Sequence, residues 1–212
     1  MLIAGPTMCG KSHFVTQLLG TVGCIEPQPK NVYWFYGTEN RQQQEYIENN
    51  SLYPIQFSRG LPTYEEIELH DDCLIVLDDL MNAAGNSNEI ANLFTRGMHH
   101  KKLSVLLLVQ NIFYQGKKAR EISLNCSYIT LFKNPRDSSQ INTLARQIFP
   151  GKQRFLQDAY IKATERPHGY LLIDLTQHTP EELRVMTNIF PVQVFHYFIP
   201  LPDRKTARRN AT

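Results

Sequence analysis

The chain has 212 residues, a formal net charge of +2, 42% apolar residues and 20% charged residues. Those values describe an ordinary globular chain of one domain, or one domain with a tail, and the charge is too small to argue by itself for a nucleic-acid partner. The four cysteines, Cys9, Cys24, Cys73 and Cys126, form no C-x-x-C pair, which fits reduced thiols in a cytosolic or nuclear compartment and excludes a disulfide framework. No apolar run approaches the ~18 residues of a membrane span. Gly, Lys and Ser interrupt any apolar core of a leader at the start of the chain.

The first twelve residues contain Gly5-x-x-x-x-Gly10-Lys11-Ser12, the phosphate-binding P-loop (Walker A) pattern. Gly5 and Gly10 permit turns that a side chain would block, so the loop Gly5, Pro6, Thr7, Met8, Cys9, Gly10 can aim its N–H groups at phosphate oxygens. Lys11 supplies a charge for the β and γ phosphates, and the Ser12 hydroxyl can ligate Mg2+. Leu2-Ile3-Ala4 before the loop reads as a strand. His13 to Leu19 after it has helical spacing, with Gly20 as the stop, and a helix starting near Gly10 adds its positive end. His13 completes the stretch Gly5 to His13 expected to hold the nucleotide. Cys9 reads as a small filler or as a redox-sensitive thiol. The loop leaves only three or four residues for the first strand, so either the fold starts abruptly or a segment upstream is missing.

Val32 to Tyr36 is dense in β-formers and ends at Gly37. Residues 38–51 suggest an exposed helix or loop. Tyr53 to Phe57 predicts a short strand, and Pro54 puts it at an edge. Thr63 with Glu66 three residues later is the start signal of a short helix. Cys73 to Leu77 is a continuous apolar run, as in a strand buried on both faces, and ends in Asp78-Asp79.

A loop over 82–88 precedes helical spacing from Glu89 to Met98. Leu103 to Val109 predicts a strand ending in Gln110-Asn111, 117–124 a short helix, and Tyr128 to Phe132 a strand ending in Lys133 to Asp137. Two helices follow, one capped by Asp137 or Ser138 and stopped by Pro150-Gly151, the other over 153–163. Gly169 to Leu175 predicts the last strand. Beyond it no clear period appears before a basic end with Arg204, Lys205, Arg208 and Arg209. Apolar strands alternating with amphipathic helices predict a parallel α/β sheet covered on both faces, with ligands beyond the carboxyl ends of its strands.

Asp78-Asp79 after an apolar strand is a Walker B signature. Asp78 takes the metal role and Asp79 the role of the base that orients or deprotonates the attacking water. The bland alternative is a carboxylate pair capping a turn. The Gln110 amide can bond both the γ-phosphate and that water, or simply face solvent. Arg96 ends the preceding helix and could reach a neighbouring subunit's γ-phosphate or favour its own helix dipole; Arg136 competes for the first role. His99-His100 lack Cys or His partners at metal-ligand spacing.

Gly-Pro-Thr-x-x-Gly-Lys-Ser, Ile-Val-Leu-Asp-Asp, Phe-Thr-Arg-Gly-x-His-His-x-x-Leu-Ser-Val-x-x-Leu-Val-Gln-Asn and Leu-Phe-Lys-Asn-Pro-Arg-Asp occur in this order. Together they resemble the DNA-packaging ATPases of large DNA viruses and of Maverick/Polinton-type elements, within the FtsK/HerA superfamily of P-loop ATPases. The resemblance runs from Leu2 to about Gly151 and is most specific from Phe94 to Asn111. It implies a RecA-like sheet with the glutamine strand between the two Walker strands. It also implies roles for Lys11, Ser12, Asp78, Asp79 and Gln110, and less securely for Arg96. Members usually have more chain before the P-loop.

The partners implied are ATP, Mg2+, double-stranded DNA, a homo-oligomeric ring (hexamer or pentamer) and a viral capsid or portal vertex. The implied location is a virion assembly site in the host cytoplasm or nucleus, without membrane. The expected division is a P-loop ATPase domain over 1–175 and a C-terminal extension over 176–212. Lys117, Lys118, Arg120 and the basic end are the candidate DNA contacts. The other readings are a non-motor P-loop enzyme such as a small-molecule kinase, and a nucleotide-dependent assembly protein. No Asn/Thr-Lys-x-Asp guanine signature occurs.

Overall fold

The structure, a computed structural model, describes residues 1–63, 65, 66, 72–97, 103–191 and 194–200, with the side chains of residues 96 and 97 outside that description. The strands are β1 (Leu2–Ala4), β2 (Asn31–Tyr36), β3 (Ile55–Arg59), β4 (Cys73–Asp78), β5 (Ser104–Val109), β6 (Tyr128–Phe132), β7 (Tyr170–Asp174), β8 (Val185–Thr187) and β9 (His196–Tyr197). They form one sheet in the order β3-β2-β4-β5-β1-β6-β7-β8-β9. The first six in that order are parallel, and β7, β8 and β9 join antiparallel. Chain geometry explains the change. Two helices, α6 (Ser139–Ile148) and α7 (Gln153–Ala163), separate β6 from β7, so the second returns the chain to the end where β6 finished. The short link from β7 to β8 then permits only an antiparallel neighbour.

Both faces of the sheet are covered. On β4, Leu74 and Val76 face the cluster that contains Phe14, Val15, Leu18 and Leu19 of α1 (Lys11–Gly20) and Ile47 of α2 (Arg41–Asn49). Cys73, Ile75 and Leu77 face the opposite cluster. That second face is packed by α3 (Met81–Ala84), α4 (Asn88–Asn92), α5 (Ala119–Leu124), α6 and α7. Burial of both side-chain sets is why β4 and β5 read as unbroken apolar runs.

Local chemistry accounts for most boundaries. Asn40 caps α2 by accepting from the Gln43 N–H at 3.1 Å, so 38–51 resolves into a turn and a helix. The Thr63 hydroxyl accepts from Glu66 N at 3.2 Å while Glu66 accepts from Thr63 N at 2.8 Å, the reciprocal box expected there. Strand β3 is an edge strand, but it starts at Ile55, and Pro54 stands before it with its carbonyl accepting from Val32 N. The expected loop at 82–88 is partly helical: α3 closes through Ala84 N to Leu80 O, and Ser87 caps α4. The helix expected to reach Met98 changes at Leu93–Gly97 into a π-helical turn. Residues 176–200 add β8 and β9, too short to show a period. The basic end from 204 to 209 lies outside the described residues.

The order β4-β5-β1-β6 has one functional consequence. Asp78-Asp79, Gln110-Asn111, the P-loop and Lys133 to Asp137 follow four adjacent parallel strands, so all four polar clusters meet on one edge of the sheet. The glutamine strand β5 lies between the two Walker strands. Among the described residues no helix is long and apolar enough to cross a membrane.

Candidate active site

The P-loop leaves β1 through Gly5 N bonded to Val109 O at 3.1 Å and enters α1 at Gly10. Gly10 has φ 110, a backbone that L side chains rarely adopt, and a Cβ there would lie 3.1 Å from His168 Nδ1. The first helical bond, Phe14 N to Gly10 O, is 2.9 Å. Phe14 then anchors the helix in a ring cluster with Phe132, Tyr170 and Phe190. Lys11 Nζ donates to the carbonyls of Gly5 at 2.7 Å and Pro6 at 3.0 Å, which holds the ammonium over the loop. Thr7 and Met8 are exposed at its crest. Half-burial pushes the Cys9 thiol up from its usual range, against the pull of the Lys11 charge, so the filler reading fits it better than a reactive thiolate.

Ser12 Oγ donates to Asp78 Oδ2 at 3.3 Å, joining the start of α1 to the tip of β4. Burial raises the Asp78 carboxyl above its ordinary value, and the Asp79 charge adds to this; the Ser12 hydroxyl, the Lys11 charge and the Trp34 indole pull the other way. A hydroxyl and a desolvated carboxylate side by side are hard oxygen donors. Mg2+ takes one or two such protein ligands and keeps waters for its remaining positions, so this pair fits it.

Asp79 departs from the direction of its neighbour. Its backbone is left-handed, φ 56, and its Oδ2 accepts from Thr38 Oγ1 at 3.0 Å at the end of β2. Gly37 N bonds Asp78 O at 3.0 Å, and a Cβ on Gly37 would run into the Asp79 carbonyl. Gln110 is exposed beyond β5, with its N–H directed to Met81 Sδ at 3.4 Å. The backbone of Arg96 lies in the π-helical turn, and its side chain falls outside the described residues. Arg136 is exposed on the loop after β6, with its N–H bonded to Asn134 Oδ1 at 3.2 Å. His99 and His100 lie outside the described residues. Among those that are described, no group of three His, Cys, Asp or Glu side chains could hold a metal ion. Lys118 is paired with Glu121 at 3.0 Å, leaving Lys117 and Arg120 as the exposed cations of that loop.

Three features escape sequence reasoning. Thr38 is one. His168 is another: its Nδ1 lies 3.0 Å from Cys9 O, and because a carbonyl only accepts, Nδ1 carries the proton and Nε2 is the other ring nitrogen. The third is a cavity of about 930 Å³ beside Gly10, lined among others by His13, Gln17, His168, Tyr170 and Asn188. It forms between α1 and the antiparallel strands. His13 at its rim stacks on Tyr46 with ring centroids 6.2 Å apart. The sequence signal was indirect, a polar His13 and Gln17 one turn apart on α1.

No family model and no curated protein matches the sequence. Solved structures do match. B204, the DNA-packaging ATPase from Sulfolobus turreted icosahedral virus, aligns with a TM-score of 0.55 at 12% identity over 95% of this chain and 97% of its own. The genome packaging NTPase B204 from Sulfolobus turreted icosahedral virus 2, in complex with ATP-gammaS, gives 0.53 at 10% identity, with 95% and 97% covered. EssC (ATPases 2 and 3) from Geobacillus thermodenitrificans gives 0.52 at 12% identity, with 99% of this chain and 41% of EssC covered. This chain shares the fold of these neighbours, a mostly parallel sheet with helices on both faces.

Proposed function

We propose that this chain is an ATP-hydrolysing motor of the FtsK/HerA group that moves double-stranded DNA and packages a viral or virus-like genome into a capsid. The observation that carries the nucleotide half is the meeting of Lys11, Ser12 and Asp78 on one sheet edge, with Ser12 and Asp78 hydrogen-bonded at 3.3 Å. The DNA half is supported by the likeness to the viral packaging ATPase B204.

In this reading the P-loop N–H groups and Lys11 hold the β and γ phosphates, and Ser12 and Asp78 hold Mg2+. When bound, that ion neutralises charge on the phosphate oxygens. The cavity beside Gly10 takes the nucleoside. Asp79 accepts a proton from the attacking water as the bond from the γ-phosphorus to the ADP oxygen breaks, and Gln110 orients that water. Arg96, or Arg136, meets the developing charge from a neighbouring subunit in a hexameric or pentameric ring. The ring works at the capsid or its portal vertex, at virion assembly sites in the host cytoplasm or nucleus. Residues 1–175 form the motor, and 176–212 extend it.

Duplex of arbitrary sequence is held through phosphates, so binding weakens steeply with salt. Lys117, Arg120 and the basic end are the proposed contacts. The test is ATP turnover of the full chain with and without duplex, beside duplex affinity from ~50 to ~200 mM salt. Duplex-stimulated turnover and an affinity loss of roughly tenfold or more are expected. Turnover indifferent to duplex, with an affinity indifferent to salt, rules out DNA as the substrate.

A further inference from the structure

We infer that His168 is a positioning residue of the phosphate-binding loop: its ring N–H holds the Cys9 carbonyl and so turns the next N–H, that of Gly10, toward the phosphates. The inference rests on the reading of Gly5 to His13 as the phosphate site. It starts from one peptide plane. His168 Nδ1 donates to Cys9 O at 3.0 Å. The Cys9–Gly10 peptide is trans, so its C=O and N–H point in opposite directions. A donor fixed on the carbonyl side therefore holds the Gly10 N–H on the side away from His168. Cys9 N donates within the loop, to Pro6 O at 3.3 Å, so both polar backbone groups of Cys9 are engaged before any ligand arrives. Oriented N–H groups are what an anion-binding loop supplies, and fixing them beforehand spares part of the ordering cost of binding.

The surroundings hold His168 in place. It sits in the left-handed region, φ 61, on the link from α7 to β7. Gly169 N donates to Arg166 O at 3.0 Å and closes the turn, and a Cβ on Gly169 would run into the Ala163 carbonyl at the end of α7. The buried Thr164 hydroxyl donates to Tyr160 O at 2.8 Å. A left-handed histidine persists only where its neighbours fix it, and these contacts do so. Gly10 makes room on the other side. With no Cβ, it lets His168 Nδ1 come within 3.1 Å of where that atom would stand. Two residues on, Tyr170 packs edge-on against Phe14 of α1, with ring centroids 4.8 Å apart. The start of β7 thus grips the loop through His168 and the helix behind it through Tyr170. His168 is exposed, so water competes for its bond, and the effect is that of one net hydrogen bond.

The experiment measures, on the full chain, the affinities for ATP and for inorganic tripolyphosphate by competition with a fluorescent ATP analogue, together with steady-state ATP turnover. His168→Gly removes the donor and is at ease at φ 61. Its affinity for both ligands is expected to fall by roughly 3- to 10-fold, the factor that corresponds to one net hydrogen bond. KM is expected to rise with that loss while kcat stays within about twofold, because the loop holds the phosphates alike before and during the reaction. His168→Asn is expected to restore both affinities: its Nδ2 stands where the imidazole Nδ1 does, and Asn tolerates left-handed backbone. His168→Ala serves in place of His168→Gly if the melting temperature of the latter falls. A loss for ATP with tripolyphosphate unaffected overturns the inference and makes His168 a contact of the nucleoside. Unchanged affinities in His168→Gly, a loss confined to kcat, or no recovery in His168→Asn overturn it as well. With Lys11→Ala binding ATP weakly, each of those results leaves the phosphate-loop reading standing. Lys11→Ala that binds ATP like the parent, or a parent chain on which tripolyphosphate does not compete, removes that reading and the inference with it.

Discussion

Ser12 and Asp78 stand 66 positions apart and share one hydrogen bond of 3.3 Å. Strand β5 lies between β4, which carries Asp78, and β1, which leads through the P-loop to Ser12, so the contact spans the tip of a strand that neither residue belongs to. A parallel sheet with crossover helices brings distant loops to one edge, and this pair marks where that edge closes.

Lys11 and Asp79 separate binding from chemistry. The Lys11 ammonium already sits among the P-loop carbonyls of Gly5 and Pro6, where phosphate oxygens would take over its hydrogen bonds. Lys11→Ala is expected to lower turnover by roughly 100-fold or more and to weaken ATP binding. Asp79→Asn keeps a residue that tolerates left-handed backbone, so its effect is chemical and not structural. It is expected to bind ATP like the parent and hydrolyse it roughly 100-fold more slowly. Equilibrium binding of a fluorescent ATP analogue, with phosphate release on the same samples, measures both.

Gly10→Ala tests the loop's backbone. At φ 110 any Cβ is strained, and here it would also press on His168 Nδ1 at 3.1 Å. A loss of about 1–3 kcal/mol in unfolding free energy is expected. Denaturant titration measures it as a lowered midpoint at constant slope.

Asp78 carries a pH signature. Burial raises its pKa in the folded chain, so the folded state prefers the protonated carboxyl. The stability from that preference is complete below the unfolded-chain pKa and is lost as pH rises through the folded value. At neutral pH the charged side chain is therefore a cost. Asp78→Asn is expected to melt about 1–3 °C above the parent near pH 7 without nucleotide or Mg2+, with the difference vanishing toward pH 3. Melting curves across that range check both the sign and the convergence.

What was legible in the sequence had a local signature. The P-loop is a contiguous pattern, and β4 and β5 announce themselves as apolar runs because both faces are buried. Four strand-end clusters could be proposed as one site because parallel sheets put carboxyl ends together. What was illegible is non-local or too short. Nothing marks the hydroxyl of Thr38, two residues past a strand, as a partner of a carboxylate 41 positions on. His168 reaches Cys9 across 159 positions, from a loop with no motif. Strands β8 and β9 have three and two residues, less than two periods of alternation. The π-helical turn at Leu93–Gly97 follows helical apolar spacing that an α-helix would also satisfy.

That turn bears on the last prediction, which separates a ring motor from a monomeric enzyme. Arg96 lies within the π-helical turn, and such turns inside helices are frequent at functional sites. The turn precedes β5 in the chain, whereas the P-loop and Gln110 follow the carboxyl ends of β1 and β5. An arginine so placed is poorly sited for its own nucleotide and suited to a neighbour's. A trans-acting arginine contributes roughly 10^3-fold or more in rate. Arg96→Ala is therefore expected to bind ATP like the parent and to hydrolyse it poorly. Mixed with Lys11→Ala, it is expected to regain activity, because some mixed boundaries pair an intact P-loop with an intact arginine. The measurement is ATPase rate against mixing ratio, at a concentration where light scattering shows assembled rings. A bell-shaped curve above the sum of the two variants supports shared sites. If assembled mixtures never exceed that sum, Arg96 is a helix-end cation, and the same mixing experiment with Arg136→Ala decides whether any arginine crosses the boundary.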